Sequence, residues 1–386
     1  MATVTKRSWI NKRTGKPTTR YVLGYADRTG KWRRKQYKTA ARAHAERIRV
    51  EGEVAAGVHV ADADSITVAK AVDAWLADYQ ALVDAGKRER STLDAYAPIT
   101  AHIKAHNIAA TKLARLTGPL LKEFTGWLEQ NRTEEQGRRT MKVLRLVIDY
   151  AIGRGWCSTN LAKSASIRTG GDRHEEEVEI PPKEQLQALL AAAEAHSVKA
   201  HAMVSVLLFV GLRASELRGL RRVDVDRNEC RVRQRADKYQ KIGAPKSKKG
   251  RRDVPMPPAT WRILAAWMLQ APKSKDGLLF PNGVGKAESY ANIWNRLWVP
   301  LMDAAGLTRP EEQPDGSVRM APLFGLHALR HACISLWIEQ NVSPKKVSQW
   351  AGHSSVAFTL DTYGHLWKQR ETDAQIAAAS EAALFK

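Results

Sequence analysis

The chain is poor in cysteine: Cys157, Cys230 and Cys333 stand far apart in 386 residues and form no CxxC pair. That excludes a disulfide framework and a cysteine zinc site, and it fits a reducing cytoplasm. Long apolar runs are missing as well. The most apolar stretch, Ala202 to Leu212, falls well short of the roughly 20 residues of a membrane span and reads as a buried helix. Met1 to Arg7 runs into a basic segment without an apolar signal core, which argues against export. No phosphate loop is present, because Gly283-Val284-Gly285-Lys286-Ala287 lacks the spaced first glycine and the Ser or Thr of that motif. No tandem repeat at a fixed period is visible, so an array fold is not indicated. Acidic residues are scarce beside basic ones, 40 against 62, leaving a formal charge of +22.

What is there is the composition of a globular protein, 44% hydrophobic and 26% charged, and the length suits two or three domains. No lysine tail carries the charge excess, so it belongs to folded surfaces. The polyanion that best offsets such a surplus is nucleic acid, through counterion release. An acidic membrane surface is the weaker alternative.

Residues 1–64 hold 15 Lys or Arg and 6 Asp or Glu. Tyr21 to Tyr25 and Lys31 to Tyr37 flank Asp27-Arg28-Thr29-Gly30 with alternating character, the pattern of a hairpin, and Asn11 to Lys16 marks an earlier turn. Thr39 is placed to cap a helix from Ala40 to about Gly52, so a three-stranded sheet backed by one helix is expected, with Arg33, Arg34 and Lys35 offered to DNA. Residues 65–168 turn helical: Val68, Val72, Trp75, Leu76 and Tyr79 share one face, Phe124, Trp127 and Leu128 another. Four or five helices are expected, with Arg138, Arg139 and Lys142 (and Arg145) on the polar side. Residues 169–181 read as a linker, from Gly170-Gly171 through Glu175-Glu176-Glu177 to Pro181-Pro182. Residues 182–386 alternate helices with a small antiparallel β-region, Arg231 to Arg235 and Val254 to Pro257 bracketing a basic loop. The remainder is expected to be mostly helical, including an Ala-rich tail helix from Ala374 to Phe385.

Four clusters carry the chemistry. Arg213 follows directly on the apolar helix, and burial obliges its guanidinium to find Glu216 or a bound phosphate. His327 and Arg330, at i and i+3, share a helical face. Gly352-His353 follows a helix opened by Ser343 as N-cap and Pro344 at its first position. Tyr363 precedes Gly364-His365. In this order, with a basic hairpin between the first and second, the clusters resemble the tyrosine recombinase (phage integrase) family from about Lys183 to about Arg370. The upstream layout is similar to that family's arm-site sheet domain and helical core-binding domain.

The resemblance implies a site-specific DNA recombinase in which Arg213 and Arg330 grip the scissile phosphate and Tyr363 forms a 3′-phosphotyrosyl link. His327 would take the phenolic proton and His353 would bond a phosphate oxygen. The family's hairpin lysine, general acid for the departing 5′-oxygen, best matches Lys246, with Lys248 and Lys249 as alternatives. Lys248, Lys249, Arg251 and Arg252 would also touch the DNA backbone. No cofactor or metal is implied. A zinc site on His327, His331, His353 and His365 is disfavoured, because the stretch between the first two lacks a glutamate and contains Arg330; His331 reads as a structural group. Expected partners are double-stranded attachment-site DNA, three further copies in a synaptic tetramer, an accessory DNA-bending protein and a directionality factor, in a cytoplasmic, nucleoid-associated setting. Ala351 and Ala328 depart from the commonest boxes without replacing a reacting group. Rival readings are a type IB topoisomerase, against which the N-terminal basic sheet argues, and a regulator with a degenerate domain, which would require broken boxes.

Overall fold

Alternation of apolar and polar residues around two turns gives the N-terminal strands β1 (Thr3–Ile10), β2 (Pro17–Ala26) and β3 (Trp32–Tyr37), an antiparallel sheet in the order β1-β2-β3. The computed structural model describes residues 2–27, 30–57, 59–61, 64–168, 178–313, 315–367, 378 and 380–383. It divides into two compact units, Met1–Arg173 and His174–Lys386. In the first, helix α1 (Ala40–Ala55) starts at Thr39, whose hydroxyl accepts the Arg42 N–H. It covers one sheet face, where Leu23, Tyr25, Tyr37, Ala43 and Val50 form a small core.

Four helices complete the first unit: α2 (Val68–Asp84), α3 (Arg90–Lys104), α4 (Gly118–Asn131) and α5 (Glu134–Gly153). Their apolar stripes meet around Phe124, Leu128, Leu144 and Ile148. Helix α5 opens with a reciprocal capping box between Thr133 and Gln136, which satisfies two otherwise orphaned N–H groups.

The second unit begins with α6 (Lys183–His196) and α7 (Val198–Phe209). Helix α7 is apolar nearly all round because it is enclosed, and it stops short of the expected Leu212, since Gly211 takes a left-handed φ of 66°. There follow α8 (Ala214–Gly219) and the strands β4 (Glu229–Val232), β5 (Arg235–Ala236), β6 (Ile242–Gly243) and β7 (Arg252–Pro255). Strands β4 and β7 pair antiparallel, Val232 opposite Arg252, and β5 and β6 form a short ladder within the stretch read as a basic loop. Helices α9 (Pro258–Gln270), α10 (Tyr290–Ile293) and α11 (Val299–Ala304) come next, with a π-helical turn at Trp294–Trp298 between the last two.

Strands β8 (Thr308–Glu312) and β9 (Val318–Pro322) then form a hairpin where helix was expected. Both strands are largely exposed, so no apolar alternation marks them. There follow α12 (Leu326–Glu339), α13 (Pro344–Ala351) and α14 (Val356–Tyr363), and residues 378 and 380–383 of the expected tail are helical. The Gly170-Gly171 and Glu175–Glu177 part of the linker and most of the expected tail helix, including its Ile376, Leu384 and Phe385, lie outside the described residues. Among the described residues no helix is long and apolar enough to cross a membrane.

Candidate active site

The end of α13 organises the site. Helix carbonyls at a C-terminus lack intrahelical partners and carry the negative end of the dipole, so they attract cations. Here three successive carbonyls each take a different arginine. Trp350 O accepts from Arg252 Nε at 2.6 Å, Ala351 O accepts from Arg330 Nη2, and Gly352 O accepts from Arg213 Nη2 at 3.0 Å. Gly352 ends the helix with φ 65°, and a Cβ there would lie 3.0 Å from both Lys249 O and Arg252 Cδ. Both the left-handed backbone and the crowding demand glycine. Gly211 acts alike: its φ is 66°, a Cβ would meet Cys333 Sγ at 3.0 Å, and its carbonyl accepts from Arg330 Nη1 at 2.5 Å.

One carboxylate serves this cluster. Glu216, buried in α8, accepts from the Arg213 backbone N–H at 2.9 Å and from Arg213 Nη1 at 2.8 Å. Its two oxygens also take the fork of Arg252, at 2.9 and 2.8 Å. Burial pushes the Glu216 pKa up, but the hydrogen bonds and charge of Arg252, joined by Arg213, outweigh it and hold the pKa at about 2. Arg330 is 2% exposed and bonds to carbonyls. Burial, then the facing charges of Arg213 and Arg252, push its pKa down to about 9. Three guanidiniums around one carboxylate leave a surplus of positive charge, suited to an anion that brings its own.

Tyr363, the last residue of α14, packs on Ile334, Ile338, Val347 and Ala351 and is 2% exposed. Its hydroxyl is hydrogen-bonded to His331 Nδ1 at 2.6 Å, so it is not sealed in apolar packing. Burial pushes the phenol pKa up to about 12, against the opposing pull of Arg330 and Arg213. The His353 ring is stacked parallel on Tyr363, and His353 Nδ1 meets Thr359 Oγ1 at 2.8 Å. Desolvation, with Arg330 and Arg213, pushes the His353 pKa down to about 3; desolvation, with His327 and Arg330, pushes that of His331 down to about 4. Both rings are neutral near pH 7. His327 lies at the exposed edge, edge-to-face with His331, and partial desolvation with Arg330 and Arg213 lowers its pKa too.

Arg213, His327, Arg330, His353 and Tyr363 are therefore drawn together around α12, α13 and α14. His331, given only a structural part in the sequence, is the group that touches the phenol; its place one turn beyond His327 was the available signal. Lys246 sits exposed in the turn before Lys248–Gly250. Lys248 and Arg251 are also exposed, while Lys249 Nζ donates to Ser354 O at 2.6 Å. Arg252 must be corrected: it is 5% exposed and its charge is taken up by a fork-to-fork pair with Glu216, whereas Arg330 bonds only to neutral carbonyls, so Arg252 serves the cluster rather than the DNA backbone.

The N-terminal sheet brings a second correction. Pairing of Tyr25 with Arg33 and of Leu23 with Lys35 puts Arg33 and Lys35 on the helix-covered face. Arg33 is held by Asp27 at 2.9 Å and Asp64 at 2.5 Å, and Lys35 lies over the Tyr37 ring. Arg34 occupies the open face, which by register also carries Arg7, Trp9, Arg20 and Trp32. Strand parity was the signal that selects these. On α5, Arg138 and Arg139 are exposed and paired with Glu134 and Glu135, Lys142 is exposed, and Arg145 instead donates to Ala162 O and Ala165 O.

A mainly helical fold with small sheets brings arginines and a tyrosine together at one helix end, the chemistry of an enzyme that acts on a phosphodiester. Residues 181–370 match the phage integrase family, and the chain belongs to the tyrosine recombinases. It is 24% identical over 371 residues to a XerC-like tyrosine recombinase of Caldanaerobacter subterraneus subsp. tengcongensis, covering 90% of this chain and 92% of that protein. Its fold is similar to the integrase of transposon Tn1549 in complex with a circular intermediate DNA, with a TM-score of 0.63 and 18% identity over 83% of this chain and 100% of that one. It is also similar to a lambda integrase tetramer bound to a Holliday junction, with a TM-score of 0.54 and 16% identity over 94% and 98% of the two chains.

Proposed function

We propose that this protein is a site-specific DNA recombinase that cuts and rejoins duplexes through a 3′-phosphotyrosyl intermediate, integrating or excising a mobile element. The observation that carries the reading is the seating of Arg330 and Arg213 on the adjacent carbonyls of Ala351 and Gly352, with Tyr363 stacked on the next residue, His353. Attack on a phosphodiester loads charge onto the non-bridging oxygens, and two guanidiniums fixed beforehand answer it.

In this reading DNA draws the phenol from His331 to the phosphate. The Tyr363 oxygen attacks phosphorus, its proton passes to His327, and the bond from phosphorus to the 5′-oxygen breaks as Lys246 gives that oxygen a proton. His353 Nε2–H bonds a phosphate oxygen while Nδ1 stays with Thr359. A 5′-hydroxyl from the second duplex then attacks the ester and releases Tyr363, so ester energy is conserved and no nucleotide is consumed. The partners are double-stranded DNA and further copies of the chain; the likeness to a tetramer on a Holliday junction supports four protomers around two duplexes. Residues 1–64 serve as the arm-site domain, 65–168 as the core-binding domain and 182–386 as the catalytic domain, with Arg34, Lys142, Lys248 and Arg251 contacting the DNA backbone.

The test is a nicked suicide duplex built from the junctions flanking the coding region. The wild-type chain forms a covalent adduct and Tyr363→Phe forms none; an adduct that persists in the Phe variant assigns the nucleophile elsewhere. Relaxation of supercoils without recombinant product from paired sites would instead identify a topoisomerase.

A further inference from the structure

We propose that Arg252 is a positioning residue of the reaction, registering the turn that carries Lys246 against Arg213 through the carboxylate they share. The inference rests on the role given to Lys246 above. Arg252 spends its guanidinium on four acceptors from three places in the fold: both oxygens of Glu216, Trp350 O and Gly250 O, the last at 3.2 Å. A surface arginine exchanges partners with water; this one is enclosed, and its planar fork fits the carboxylate in one orientation.

The links run on to Lys246. Gly250 receives one Arg252 N–H at its carbonyl, and its Cα lies so close beneath Pro245 that a Cβ would stand 2.5 Å from Pro245 Cβ. Pro245 directly precedes Lys246. Lys249 fastens the same turn to Ser354 O, and its own carbonyl rests against Gly352. In the other direction Glu216 holds both the main chain and the side chain of Arg213. One buried ion pair thus fixes the proton donor's turn relative to the phosphate clamp. A general acid acts only within hydrogen-bond reach of the leaving oxygen, so loosening that turn costs proton transfer before it costs binding.

The test compares two suicide duplexes that differ in one atom, the bridging 5′-oxygen or a sulfur in its place. A thiolate leaves without being protonated, so the sulfur duplex bypasses the acid. Lys246→Ala is expected to cleave the oxygen duplex at least roughly 10²-fold more slowly and the sulfur duplex near the wild-type rate. Arg252→Lys, which keeps the charge and loses the fork, is expected to repeat that pattern, while Arg330→Ala is slow on both. Gly250→Ala pushes Pro245 away with the Arg252–Glu216 pair intact, and if Arg252→Lys does not fold it tests the link from Gly250 to Lys246 on which the proposal depends: sulfur rescue is expected, and equal slowing on both duplexes, or none on either, overturns it. Equal slowing of Arg252→Lys on both duplexes, or full activity on both, overturns the proposal. Failure of sulfur to rescue Lys246→Ala overturns the role of Lys246 itself, and is read independently of Arg252.

Discussion

At the scale of single residues, the arginine cluster depends on backbone geometry as much as on charge. Gly352→Ala meets a left-handed penalty of about 1–2 kcal/mol and drives a methyl onto Arg252 and the Lys249 carbonyl; chemical denaturation should show at least that loss, together with slower cleavage. Arg330→Ala should slow cleavage by about 10²–10³, if it acts as a single transition-state donor. The desolvated histidines set an acid limit. With pKa values of about 4 for His331 and about 3 for His353, both resist protons that the unfolded chain takes up near 6.5. Stability is therefore lost as pH falls from about 6.5 toward 4, and His353→Gln should flatten that slope in melts recorded across the range. Glu216 acts in the same sense at lower pH: its contribution is full above the ordinary carboxylate pKa of 4.5 and is lost progressively as pH falls from there to about 2. The convergence of Arg213, Arg330 and Tyr363 was legible because the clusters that carry them follow one another in a fixed order. Arg252 was misread because it adjoins Lys248, Lys249 and Arg251 in sequence, whereas its partner Glu216 is 36 residues away.

At the scale of elements, capping was legible and exposed pairing was not. Thr39 caps α1 through its hydroxyl, and α13 starts at Pro344 after Ser343 as expected, there through the proline rather than a serine cap bond. The β8–β9 hairpin escaped because solvent on both sides removes the alternation that reveals a strand. Within the N-terminal sheet the strands were legible but their facing was not, and a basic run was credited to one surface when alternate residues point oppositely. Helix α14, which delivers Tyr363, is capped by the Ser355 hydroxyl on the Phe358 N–H. Ser355→Ala should cost about 1 kcal/mol, seen as earlier hydrogen exchange of α14 amides with little change in α7.

At the scale of the whole molecule, the surplus of 22 positive charges makes DNA affinity fall steeply with salt. Removing one cation that neutralises a phosphate should reduce the slope of log K against log salt by about 0.9. Arg34→Ala, on the open face of the sheet, is expected to flatten the slope by that amount. Arg33→Ala should leave it unchanged and lower the melting temperature, because Arg33 is committed to Asp27 and Asp64. That open face belongs to the first unit, and the arginine cluster to the second, where it hangs from peptide oxygens. Peptide oxygens are supplied by every amino acid alike, so at position 351 only the room beside Tyr363 limits the side chain, whereas 211 and 352 are locked to glycine by their backbone. A saturation library across these positions would accept small apolar residues at 351 and almost nothing but glycine at 211 and 352.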